Sequence, residues 1–169
     1  MNFRNAVTVD LDAIMTLLED GRRFLHANHV PQWINGYPSQ EVIMQDIHHG
    51  NAYLMEESHK VIAFATVIYT GEKTYDKIYD GAWLSLGQYG VVHRMAVASE
   101  YRGKNIASAF LKEIENLTLS KSISSIKIDT HEKNIVMQKL LLKNGYQYCG
   151  VIYLEDGDKR LAFELRVEN

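Results

Sequence analysis

Apolar and β-branched residues crowd the stretch from Val91 to Val97, and Ser99 to Tyr101 then makes a short polar turn. Beyond the turn, apolar residues recur at helical spacing at Ile106, Phe110, Ile114 and Leu117. This pattern predicts a strand from Tyr89 to Val97. A helix then opens on Arg102-Gly103-Lys104-Asn105-Ile106-Ala107 and runs to about Ser120. Upstream, Phe3 to Val9 reads as a first strand, and Asp10 caps a helix carrying Leu11, Ile14, Leu17 and Leu18. A second helical stretch covers Arg22 to Asn28 and stops before Pro31. The segment from Pro31 to Pro38 reads as a rigid aromatic loop, and Ser39 opens a third helix that runs to about His48 and ends at Gly50. Asn51 to Glu56 and Val61 to Thr70 form a hairpin about the turn Glu57-Ser58-His59-Lys60. Gly71 to Gln88 is a long connection rich in Tyr, Asp and Gly; connections of this length are more often functional than idle.

Downstream, Ile123 to Asp129 alternates as a strand. Glu132 to Lys143 is a helix with Met137, Leu140 and Leu141 on one face, ended by Asn144-Gly145. Tyr146 to Leu154 and Lys159 to Val167 close the chain as an antiparallel pair around Asp156-Gly157-Asp158. The predicted order is strand, helices, three strands, helix, strand, helix, two strands. That is an α/β order with about seven strands.

Composition narrows the class. A chain of 169 residues reads as a single domain, 1–169, able to bury a sizeable core. Its net charge of −3 leaves no basic footprint for nucleic acid. The one cysteine, Cys149, permits no internal disulfide and reads as a small packing residue. The longest apolar run, near Val61 to Tyr69, is too short to cross a bilayer, and Met1 to Asn5 lacks the features of a secretory signal. The expected location is cytoplasmic, with no membrane partner.

The chemistry concentrates where the strand feeds the helix. The first amides of a helix have no intrahelical acceptor, and the helix dipole adds partial positive charge there. Gly103 permits close approach, Asn105 tolerates a left-handed backbone, Ala107 is small, and Arg102 and Lys104 add charge. Such an arrangement suits an anion, above all a diphosphate. The plain alternative is an ordinary strand–turn–helix with a solvated basic start. Competing phosphate motifs are missing: the chain holds neither Gly-x-x-x-x-Gly-Lys-Ser/Thr nor Gly-x-Gly-x-x-Gly.

Arg102-x-x-Asn105-x-Ala107 resembles the Arg/Gln-x-x-Gly-x-Gly/Ala signature of the GNAT N-acetyltransferase superfamily, with Asn105 where the family usually has Gly. A second segment, Asn134-x-x-Met137-x-x-Leu140-Leu141-x-Lys143-Asn144-Gly145-Tyr146, is similar to the family's Asn-x-x-Ala-x-x-Leu-Tyr-x-Lys-x-Gly-Phe. The order of elements also matches, so the resemblance implies the GNAT fold, a mixed, mostly antiparallel central sheet of about seven strands flanked by helices; the likeness is closest from Val91 to Tyr146. The resemblance implies acetyl-CoA as cosubstrate, held by Met95, Ala96, Val97, Arg102, Gly103, Lys104, Asn105, Ile106, Ala107, Ser108 and Asn134. It implies that the backbone from Met95 to Val97 pairs with the pantetheine arm as an added strand. The Val97 N–H would then point at the thioester oxygen. No metal is implied, and the paired histidines His26/His29 and His48/His49 read as surface residues.

A lysine-like amine is neutral in only about one molecule in ~10³ at pH 7, so a base or proton wire is needed. His93 stands where many members place a glutamate base, and imidazole can serve near neutrality. The alternative is a histidine that fills one strand face. Leu141 replaces a tyrosine thought to protonate the departing thiolate. Trp33, Tyr37, Tyr79 and Trp83 lie in segments that relatives use to shape the acceptor pocket, and aromatic walls suit a cationic amine. Core packing or an oligomer interface, a homodimer first, would use the same residues. Asp80 and Glu56 are candidate attractors of a cation, although scattered acids are usually just solvated. The reading is an N-acetyltransferase acting by direct transfer onto a primary amine of a small molecule. Its rivals are an acyl-CoA sensor without turnover, a different acyl donor, a hydroxyl acceptor, a peptide or protein acceptor, and a structural or interaction protein, which would leave the cradle unexplained.

Overall fold

The computed structural model describes residues 1–167. Among these residues, seven strands lie in one mixed sheet in the order β1-β2-β3-β4-β5-β7-β6. They are β1 (Asn2–Asn5), β2 (Ala52–Glu57), β3 (Lys60–Ile68), β4 (Gly90–Val97), β5 (Ser125–Thr130), β6 (Gln147–Tyr153) and β7 (Lys159–Arg166). Four helices accompany them: α1 (Leu11–Ala27), α2 (Gln40–His48), α3 (Ile106–Ser120) and α4 (Ile135–Lys143). The predicted α/β class and strand count hold. The described residues form two compact units, one of Met1–Val67 with His93–Glu113, the other of Ile68–Val92 with residues 114–167.

In the first unit, β1 pairs antiparallel with β2 and β2 with β3. The β2–β3 turn is Ser58-His59, both with positive φ (48° and 64°), the two-residue turn whose twist suits a hairpin. Three expectations need correction. The first strand ends at Asn5, and a short 3₁₀ turn, Thr8–Asp10, follows. Asp10 does not cap α1 with its side chain: its carboxylate accepts from Arg4 Nη1 and Nη2 (2.8 and 2.9 Å) and from the Val7 amide (2.8 Å). The two predicted helical stretches are one helix, because a continuous buried stripe (Leu11, Ile14, Leu17, Leu18, Gly21, Leu25) outweighs the weak propensity of a single glycine. Helix α2 starts as predicted, with Ser39 Oγ accepting from the Val42 amide. Ile14, Leu18, Ile43, Leu54 and Phe64 are fully buried at the centre of this unit's core.

In the second unit, β5 pairs parallel with the start of β4 at Gly90↔Ile126 and Val91↔Lys127 and antiparallel with β7, which pairs with β6. The β6–β7 register slips at Cys149, between Tyr148 and Gly150. The connection before β4 docks against that bulge: Tyr79 and Val151 exchange two backbone hydrogen bonds of 2.8 Å. A Cβ at Gly81 would sit 1.9 Å from the Cys149 carbonyl oxygen, so only glycine fits there. Helix α4 starts at Ile135, later than the predicted Glu132, because Asn134 takes the cap: its Oδ1 accepts from the Met137 amide at 3.1 Å.

Candidate active site

Within the first unit, β4 runs through Ser99–Tyr101, a single 3₁₀ turn, into an open turn and then α3. The helix begins at Ile106, four residues beyond the predicted opening at Arg102. The delay has a backbone cause: Gly103 (φ 76°) and Asn105 (φ 63°) are both left-handed, and two such residues interrupt helix growth. The first helical bond runs from the Ala109 amide to the Asn105 carbonyl (3.1 Å), so the amides between them head the helix. Nothing lies within 4 Å of a Cβ placed on Gly103, and Gly103, Lys104 and Asn105 are exposed. Ile106 is buried and anchors the turn, while Ala107 and Ser108 are half-buried. The result is an open loop on a helix N-terminus with a left-handed backbone on either side of Lys104. That shape and polarity fit a diphosphate.

The side chains divide the work differently from expectation. The Arg102 guanidinium turns back onto α1, donating to the Asp20 carbonyl oxygen (3.1 Å) and lying over the Phe24 ring (4.6 Å). Its main effect is to fasten the loop to α1. Lys104 is the exposed cation of the loop, 5.3 Å from the Tyr101 ring centroid. Glu56, a candidate for attracting a cation, is spent on Arg4 (2.9 Å) and Asn2 (3.1 Å).

Along β4, His93, Arg94, Met95 and Val97 are half-buried and Ala96 is buried. Arg94 has a φ of +54°, which marks a bulge in mid-strand. Its guanidinium lies under the Tyr37 ring (5.6 Å to the centroid) and 3.2 Å from Asp46 Oδ2, the oxygen that accepts the Thr66 hydroxyl at 2.7 Å. That approach is not aligned for a hydrogen bond, and among the described residues Arg94 Nε and Nη1 are buried donors without an acceptor. Sequence reasoning passed over Arg94; the available signal was an arginine set in an apolar strand beside His93. Trp33 also belongs to this unit: it has positive φ and packs against α1, where a Cβ on Gly21 would come 2.9 Å from its Cζ3. His26, His29, His48 and His49 are exposed, as expected of surface residues.

In the second unit, Tyr79 is partly exposed, edge-on to Tyr153 and under Lys77. Trp83 is half-buried against the core: its indole N–H donates to the Tyr75 carbonyl (2.9 Å) and its face carries the buried ammonium of Lys127 (4.4 Å), which also sits over Tyr89 (3.9 Å). Burial pulls the Lys127 pKa down. Glu164, fully buried, accepts from the Leu84 amide and the Ser125 hydroxyl (each 2.7 Å) and from Ser85, which ties the connection to the sheet. Leu141 is fully buried. Cys149 is buried with its thiol on the Gln147 carbonyl, and burial pushes its pKa up, which suits packing over nucleophilic chemistry. Among the described residues no group of three or more His, Cys, Asp or Glu side chains is placed to hold a metal ion.

Comparison with known proteins decides the family. The model of the acetyltransferase (GNAT) family matches residues 18–146. A GNAT-family acetyltransferase structure from Streptococcus agalactiae is 36% identical, with a TM-score of 0.91 over 99% of this chain and 96% of that one. The chain belongs to the GNAT acetyltransferase family. As a GNAT protein it is an acetyl-CoA-dependent transferase. Two more distant likenesses show the GNAT fold. One is the PaiA N-acetyltransferase of Thermoplasma acidophilum in complex with coenzyme A (16% identity, TM-score 0.73, 98% of each chain). The other is the ribosomal-protein-S18-alanine N-acetyltransferase of Escherichia coli (14%, TM-score 0.64, 99% of this chain and 94% of that one). No curated protein matches. No helix among the described residues is long and apolar enough to cross a membrane.

Proposed function

We propose that this GNAT chain, acting as a single cytoplasmic domain, transfers the acetyl group of acetyl-CoA directly to a primary amine of a small molecule. The observation that carries the reading is the left-handed pair Gly103 and Asn105 at the head of α3, directly after β4. The loop's amides and Lys104 hold the diphosphate, and Ile106, Ala107 and Ser108 form the helical side of the cradle. The β4 backbone at Met95, Ala96 and Val97 aligns the pantetheine arm, and the Val97 N–H donates to the thioester oxygen as negative charge grows there. One such donor typically contributes about 3 kcal/mol at the transition state. His93 takes the proton from the attacking amine, directly or through water. The amine nitrogen bonds to the acetyl carbon, the C–S bond breaks, and the thiolate leaves. With an ordinary thiol pKa near 8.5, it is a fair leaving group without a tyrosine donor.

A sensor without turnover is the second reading, supported by Leu141, which offers no phenol where many relatives have tyrosine. Free-thiol release from acetyl-CoA across a panel of small amines, amino acids and peptides separates the two. Release with small primary amines is expected. Coenzyme binding without release from any acceptor establishes the sensor, and release with peptides alone moves the acceptor to a protein.

A further inference from the structure

Between α1 and α2 the chain reaches β4 through a segment that its own backbone does not hold. Trp33 and Asn35 are left-handed (φ 57° and 54°), and residues so placed keep that conformation only where their surroundings impose it. Ile34, Asn35, Gly36 and Tyr37 are exposed, so burial is not the cause. The segment is tied down from outside instead. The Trp33 ring packs on Gly21 of α1. Arg22, the next residue of α1, forks onto two successive carbonyls: Nε and Nη2 donate to that of Tyr37 (3.4 and 3.2 Å), and Nη2 also donates to that of Pro38 (3.3 Å). Glu19 takes the Nη1 end of the same guanidinium, which aims the fork from within α1. A planar guanidinium is pre-organised for such paired contacts and loses little freedom in making them. Beyond the fork, the Tyr37 ring meets the guanidinium of Arg94 (5.6 Å to the centroid), the residue between His93 and Met95 on β4.

We propose that Arg22 is a positioning residue for the acceptor: it clamps the α1–α2 connection so that Tyr37 stands as a wall on the path of the incoming amine. The inference rests on the acetyl-transfer reading, in which His93 takes the amine proton and Met95 to Val97 align the thioester. A ring seated on the residue between them borders the amine's approach. Arg22 acts through Tyr37 and takes no part in the chemistry. A wall of this kind touches the acceptor in the ground state and the transition state alike, so loosening it raises KM and leaves kcat nearly unchanged.

The test is a double-mutant cycle over Arg22→Ala and Tyr37→Ala, run with acetyl-CoA and the amine that releases thiol fastest in the panel above. Each single variant is expected to raise the acceptor KM fivefold or more, with kcat, and CoA affinity by calorimetry, within twofold of wild type. The double variant should match the worse single one within twofold, because Arg22 then has nothing left to position. Hydrogen exchange at the Tyr37 amide, which donates to the Ile34 carbonyl at 3.1 Å, should quicken at least fivefold in Arg22→Ala and recover in part in Arg22→Lys. Arg22→Met, which keeps most of the stem, carries the cycle if the alanine variant fails to fold. An unchanged acceptor KM in Arg22→Ala, two effects that simply multiply, or an equal loss of CoA affinity overturns the proposal while the transferase reading stands. No thiol release by wild type from any amine removes that reading itself, and exchange at Tyr37 then decides the clamp alone.

Discussion

At the residue scale, Asn105 carries the sharpest test of the cradle. Its φ of 63° is a conformation glycine takes freely and a β-branched residue resists. Asn105→Gly should bind CoA within about twofold of wild type by calorimetry. Asn105→Val should lose roughly 5–30-fold, the equivalent of the ~1–2 kcal/mol left-handed penalty; equal affinity would show that the loop does not depend on that backbone. Lys104 and Arg102 should part company. Lys104→Ala is expected to weaken CoA severalfold and leave a pantetheine fragment without diphosphate unaffected. Arg102→Ala should instead lower the melting temperature, because its guanidinium fastens the loop to Asp20 and Phe24. The left-handed role of Asn105 was legible in the sequence, since Asn is the next residue after Gly to accept it. The course of the Arg102 side chain was not, because its partners lie 82 and 78 residues earlier on α1.

At the element scale, hydrophobic periodicity located the seven strands and four helices of the described residues but divided α1 in two, and its remaining errors fall at element ends. Asp10 was read as a helix cap, but Arg4, six residues earlier, claims its carboxylate. The α3 start slipped because helical periodicity does not register the two left-handed residues, Gly103 and Asn105, that precede Ile106. Helix α4 shows the limit of transferring a family position. Leu141 matches the usual tyrosine in register, yet it is fully buried, so a tyrosine there must displace core atoms. Leu141→Tyr is therefore expected to destabilise by about 1–3 kcal/mol, roughly 2–4 °C of melting temperature per kcal/mol for a chain of this size. It should not accelerate turnover. Faster release of thiol at unchanged stability would show that the phenol reaches the sulfur and that proton donation limits the wild type.

At the scale of the whole molecule, the α/β class and the strand count were legible in the order of elements, while the insertion of β7 between β5 and β6 and the fastening of the long connection to β6 and β7 were not. Glu164, Leu84 and Ser125 are far apart in sequence and meet only once the second unit has formed. Acid stability reads out part of that unit. His131 is buried, burial and the nearby Arg160 hold its pKa below the ordinary histidine value, and its Nδ1 accepts from the Lys133 amide at 3.1 Å. The folded protein thus favours the neutral ring. That contribution is complete above about pH 6.5 and is lost as pH falls from there toward the lower folded value. The melting temperature should decline from pH 7 to pH 5, and His131→Asn should flatten that decline. An unchanged slope would assign the acid sensitivity to other groups.

The claim on which the rest depends is direct acetyl transfer, and its stoichiometry tests it most closely. The protein is incubated with acetyl-CoA and the best acceptor from the thiol-release panel, and released thiol, acetylated amine and protein mass are followed together. One acetyl group on the amine per thiol released, with no acetyl adduct on the protein, is the predicted result. Thiol release without acetylated amine, or an acetyl group that accumulates on the protein before reaching the amine, would contradict it.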